Sequence, residues 1–173
     1  MGGMNDPTAL DADTIAFAGR CFDMARNGPA AELAALVDQG VPANLTNAKG
    51  DTLLILAAYH GQRDVVAALL ARGADAERFN DRGQTALAAA CFKGADDVVQ
   101  VLLDHGAAVD GGGPDGRTAL MVAAMFDRLA TVELLLAAGA DPARQDAGGL
   151  TAAAAARRMG ATSTPERLDR ARP

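Results

Sequence analysis

The chain has no tryptophan, one tyrosine and five phenylalanines. A core this poor in rings must be filled by alanine, leucine and valine. That balance favours closely packed helices, because alanine loses no side-chain entropy and lets helix axes approach. Strands usually draw on β-branched and aromatic residues. Cysteine is nearly absent too: Cys21 and Cys91 are too few for a disulfide framework, so a reducing, cytoplasmic setting is expected. The two histidines, His60 and His105, are far apart, and no Cys-x-x-Cys or His-Glu-x-x-His spacing exists. No metal and no cofactor is therefore expected. The single serine, Ser163, lies near the C-terminus and rules against a Ser-His-Asp arrangement. The chain is not expected to be an enzyme.

Positive charge is also scarce. The net charge is -6, which repels phosphate backbones, and the basic residues are dispersed. Nucleic acid is not an expected partner. Nor is a membrane: no apolar run approaches the ~20 residues of a span, and the N-terminus lacks the basic and apolar regions of a secretory signal. Lys49 and Lys93 are the only lysines among 16 basic residues, a bias that points to a GC-rich bacterial source.

What the sequence does have is a period. Gly50, Gly83, Gly116 and Gly149 recur every 33 residues, as do Thr52, Thr85, Thr118 and Thr151. Gly40, Gly73, Gly106 and Gly139 keep the same step, and so do Gly28, Gly61 and Gly94. Each Thr stands where a helix begins and can cap its free amides. Small residues follow (Ala57-Ala58, Ala90-Cys91, Ala123-Ala124), then a glycine turn at Gly61 or Gly94. A second helix carries Val65, Val66, Leu69 and Leu70, repeated as Val98, Val99, Leu102 and Leu103 and again as Val132, Leu135 and Leu136. That spacing buries one helix face. Gly73, Gly106 and Gly139 suit a left-handed C-terminal cap.

With Gly50-Asp51-Thr52-Leu53-Leu54, Gly83-Gln84-Thr85-Ala86-Leu87 and Gly116-Arg117-Thr118-Ala119-Leu120, and with the closing Gly73-Ala74-Asp75 and Gly139-Ala140-Asp141, the chain resembles the ankyrin repeat family. The resemblance implies an all-α solenoid of helix-turn-helix units joined by hairpin-like turns. One domain is expected over 14–161, with three full repeats at 47–79, 80–112 and 113–145. A divergent N-terminal repeat (14–46) and a truncated C-terminal one (146–161) cap it, since terminal repeats must face water. Residues 1–13 are expected to be a flexible N-terminus, with Met1-Gly2-Gly3 readable as a remnant of expression, and 162–173 a charged, solvated tail.

Two departures from the family pattern stand out. The positions where the family often has His hold Ile55, Ala88, Met121 and Ala154, so apolar packing must replace that residue's hydrogen bonds. Asp127 replaces the inter-helix glycine, which predicts local strain if the position is left-handed. The run Gly111-Gly112-Gly113-Pro114-Asp115-Gly116 fits G-x-G-x-x-G only formally, because it follows a helix and contains the repeat's own turn glycine. Cys21 and Cys91 align with core positions and read as small buried residues.

The resemblance implies that a partner binds to the turn tips and the first helices. Two adjacent columns near the first-helix ends read Arg26, Tyr59, Phe92, Met125, Arg158 and Asn27, His60, Lys93, Phe126, Met159. Aromatic and Met side chains there point to a binding stripe, with packing between repeats as the alternative for Phe92 and Phe126. Arg26, Lys49, Asp51, His60, Arg82, Gln84, Lys93 and Arg117 form the charged or polar surround of Tyr59, Phe92, Met125 and Phe126. The expected function is protein–protein interaction by a monomer with an unidentified protein partner. The alternatives are an inhibitor or immunity-type protein that blocks a cognate enzyme, and a self-associating module.

Overall fold

The computed structural model describes residues 11–171, and those residues form ten helices. The flexible N-terminus expected over 1–13, Met1-Gly2-Gly3 included, falls mostly outside them. Helix α1 (Ala12–Asn27) begins before residue 14, with the Asp11 carboxylate accepting the Thr14 amide at 2.7 Å. It pairs with α2 (Ala30–Asp38). The next pairs are α3 (Leu53–Tyr59) with α4 (Arg63–Leu70), and α5 (Ala86–Lys93) with α6 (Asp96–Asp104). Then come α7 (Ala119–Met125) with α8 (Leu129–Ala137), and α9 (Ala152–Arg158) with α10 (Thr164–Arg170).

Four of the five first helices, α3, α5, α7 and α9, start as the Thr column predicts. The hydroxyls of Thr52, Thr85, Thr118 and Thr151 accept the amides of Ile55, Ala88, Met121 and Ala154 at 3.0, 3.2, 3.3 and 3.4 Å. A cap of this kind stabilises by about 1 kcal/mol. Single antiparallel bridges, Thr46 to Thr52, Phe79 to Thr85 and Gly112 to Thr118, close the hairpin-like turns ahead of three of these helices. Gly73, Gly106 and Gly139 take φ of 81°, 86° and 94° just past the second helices, as their capping role requires.

The helices stack in two layers. Helices α1, α3, α5, α7 and α9 pack in order as one layer, and α2, α4, α6 and α8 as the other. Buried alanines (Ala57, Ala58, Ala89, Ala90, Ala123, Ala124) line the first layer's contacts, whereas Val66, Leu69, Val99, Leu102 and Leu135 fill the second. Smaller residues allow closer helix approach, so the first layer is the tighter one and its free face is concave. Ile55, Ala88 and Met121, at the positions of the missing His, are buried in this layer.

The charged tail is not a solvated end. Residues Thr164–Arg170 form α10, which packs on α9 with Thr164, Pro165 and Leu168 buried. Arg167 pairs with Glu133 of α8 at 2.5 Å, and Arg157 of α9 pairs with Asp169. The final repeat is thus a helix pair. Asp127 explains how α10 is held. It is the one non-glycine residue with positive φ (52°) among those described, as the glycine column foretold. Its carboxylate, however, accepts the amides of Ser163 and Thr164 at 3.0 and 2.9 Å and the hydroxyl of Thr164 at 3.1 Å. The strained backbone position carries the side chain that caps the last helix, a role glycine cannot take.

Candidate functional site

The hairpins hold their polar side chains through one recurrent device. Asn47 Oδ1 accepts the amides of Lys49 and Asp51 at 2.9 and 3.0 Å, and Asn80 Oδ1 accepts those of Arg82 and Gln84, both at 3.0 Å. Asp146 does the same for Gly148 and Leu150. These are Asx turns, in which a short side chain substitutes for backbone partners. The 33-residue step from 47 to 80 was the available signal for this column. The third hairpin has Gly113 in that place. A Cβ there would lie 2.4 Å from the Gly83 carbonyl oxygen, and a Cβ on Gly112 would lie 2.5 Å from that of Arg117. Close backbone approach therefore accounts for the glycine run.

Successive hairpins are also joined to each other. The Asp81 amide donates to the Lys49 carbonyl at 3.1 Å and the Ala147 amide to that of Asp115 at 2.8 Å. Asn80 Nδ2 donates to Asp51 Oδ1 at 2.7 Å. That last bond corrects the placing of Asp51 among outward-facing groups. Its residue is 6% exposed and its carboxylate is engaged by Asn80 and Asn47. The other eleven candidates are exposed or half-buried.

The first-helix ends bring the rings together. Tyr59 and Phe92 stack with centroids 5.8 Å apart and planes at 14°. Phe92 meets Phe126 edge-on at 4.5 Å. His60 meets Tyr59 edge-on at 5.2 Å, and Lys93 Nζ lies 5.0 Å from the Tyr59 centroid. Tyr59 and Phe92 are half-buried against the core, while Phe126 is 38% exposed and Met159 53%. The stripe therefore combines both readings: each ring is anchored by packing on one side and open on the other.

Three cavities lie along this face. One of about 420 Å³ is bounded by Arg26, Lys49, Asp51, Tyr59, His60 and Arg82, with Gln84 at its edge. The next, about 160 Å³, is bounded by Gln84, Phe92, Arg117, Met125 and Phe126 over a floor of Ala88 and Val122. The one nearest the C-terminal repeat, about 360 Å³, is bounded by Arg117, Met125, Leu150, Arg158 and Met159. With Lys93 beside Tyr59, all the candidate residues share one surface. Burial first, then the charges of Arg26 and Lys93, holds the His60 imidazole below its usual pKa. Among the described residues, no group of three or more His, Cys, Asp or Glu is placed to hold a metal, and no helix is long and apolar enough to cross a membrane. Phe79, at a hairpin base, is 48% exposed; Phe22 is core and Phe17 half-buried.

A family model described as ankyrin repeats (3 copies) matches residues 22–111 and residues 76–146. A Pseudomonas aeruginosa protein described as an ankyrin repeat protein is 51% identical over 57 residues. That match spans 33% of this chain and 33% of the relative.

Proposed function

We propose that this chain, which belongs to the ankyrin repeat family, captures a protein partner on the concave face of its first helices and hairpin tips, as a cytoplasmic monomer that catalyses nothing itself. Ankyrin repeats are generally protein–protein interaction modules, and the specific site is the proposal. The observation that carries it is the run of rings from Tyr59 through Phe92 to Phe126, anchored below and open above. Rigid, half-exposed aromatics in a lined groove offer contact area at little ordering cost. Charged groups around them form a rim that favours one orientation of the partner.

The test is capture from the native host with wild-type chain and with a Met125→Ala/Phe126→Ala variant. The expected result is a specific protein retained by wild type and lost by the variant, with circular dichroism and unfolding still cooperative. A control change on the far layer, Gln100→Ala, should retain it. Equal capture by wild type and the groove variant, or loss with Gln100→Ala alone, would overturn the reading.

A further inference from the structure

We infer that the segment this groove accepts is acidic and carries one central apolar side chain, an inference that rests on the concave face being the protein-binding site. The chain's net charge is -6, yet both of its lysines stand on this face. Among the described residues, the side chains of Lys49, Lys93 and Arg158 have no ion-pair partner. Arg82 and Arg117 reach carboxylates only at 3.9 and 3.8 Å. Arg26, at the groove's end, pairs with Asp23 at 2.9 Å. Elsewhere Arg72 grips Asp38 with two bonds at 2.8 and 2.9 Å, and Arg167 grips Glu133.

Of the groove's own carboxylates, Asp51 is buried and Asp115 and Asp146 are half-buried. Asp51 is held by the side-chain amides of Asn47 and Asn80. Asp115 accepts the Arg117 amide at 3.0 Å, and Asp146 accepts those of Gly148 and Leu150. The face therefore sets six cations, Arg26, Lys49, Arg82, Lys93, Arg117 and Arg158, against three carboxylates, each tied in part to its own hairpin. Burial first, and then the charges of Arg26 and Lys93, depress the His60 pKa. An acidic segment is drawn here and repelled by the rest of an acidic protein, which fixes where it lands.

The apolar anchor has a seat midway. The cavity between Phe92, Met125 and Phe126, with Ala88 and Val122 below, has room for one leucine-sized side chain at about 160 Å³. Arg82 and Arg117 line it together with Asp115, and Lys49 and Arg158 stand further out on either side. The five first helices at a normal packing distance of about 10 Å span roughly 40 Å. An extended segment rising about 3.3 Å per residue covers that in about 12 residues.

Selection of random peptides of about 15 residues on the full chain tests this, followed by titration of the winners and of a deoxythymidine strand of about 15 nucleotides. The expected winners are net negative with Leu, Met or Phe near the middle. Their affinity should fall about tenfold or more in Lys49→Glu/Lys93→Glu and weaken with added salt. The inference is overturned by neutral or basic winners, by acidic winners that bind the double variant equally, by the absence of winners, or by tighter binding of the nucleic acid strand. It is also overturned if light scattering shows wild type assembling with itself and the double variant monomeric, since a second copy is then the occupant. Winners that are not acidic but are lost in Phe126→Ala sink the acidic chemistry alone and leave the groove as the site. Winners indifferent to both variants sink both readings.

Discussion

The carboxylate of Asp127 accepts the backbone amide of Thr164 at 2.9 Å, across 37 residues of sequence. This contact ties the turn of one repeat to the start of α10 in the next. It also lowers the Asp127 pKa from 3.8 to about 2, with the Thr164 amide as the largest cause. A depressed carboxylate contributes stability that is present above its unfolded pKa and lost as pH falls through its folded one. Asp127→Asn should therefore lower the Tm at neutral pH, and the gap from wild type should close between pH 3.8 and about 2. Asp127→Gly should also lower the Tm, although it relieves the positive φ of 52°, because α10 loses its cap. A Tm gain for Asp127→Gly, or a gap from Asp127→Asn that ignores pH, counts against this contact.

Two glycines should respond to alanine with opposite signs. Gly19 lies inside α1 with nothing within 4 Å of an added Cβ. Gly19→Ala should stabilise by about 0.5–1 kcal/mol through lower backbone entropy in the unfolded chain. Gly113→Ala should destabilise by about 1–3 kcal/mol, because its Cβ meets the Gly83 carbonyl oxygen at 2.4 Å. Urea midpoints at unchanged slope measure both. A neutral Gly113→Ala would mean that the third hairpin can shift away.

The all-α repeat fold was legible because a solenoid writes its local physics once per repeat. Thr52, Thr85, Thr118 and Thr151 announce the helix starts, and the left-handed glycines announce the ends. α10 was not legible because its apolar share is only Pro165 and Leu168 within a charged stretch, and its cap comes from Asp127, 37 residues away from Thr164. In the candidate site, the columns brought Tyr59, Phe92 and Phe126 to one face but could not state their depth. Depth depends on how far each ring leans on its neighbour. Asp51 was misplaced for the same kind of reason: its burial follows from Asn80 in the next hairpin, a partner that charge alone does not reveal.

The two thiols report on different repeats. Both are buried, Cys21 in α1 of the terminal repeat and Cys91 in α5 at the centre. Burial pushes both thiols above their usual pKa, Cys91 the further. Neither should react readily with a thiol reagent in the native state. A terminal repeat has one neighbour and opens more often than a central one. Cys21 in a Cys91→Ala variant should thus be labelled faster than Cys91 in a Cys21→Ala variant, with Cys91 following global unfolding. Equal rates would mean that the domain opens as one unit.

The ring run makes a separable contribution to stability. Phe92 is half-buried and touches both Tyr59 and Phe126, so Phe92→Ala should cost about 3 kcal/mol, near the low end for buried Phe. Phe126, 38% exposed, should cost less, about 1 kcal/mol. A cycle of the two single variants and the double variant should yield about 0.5–1.5 kcal/mol of coupling for the edge-on pair at 4.5 Å. A coupling of zero would mean that the rings do not rest on each other in solution. The groove would then lack the rigid shelf on which its binding role depends.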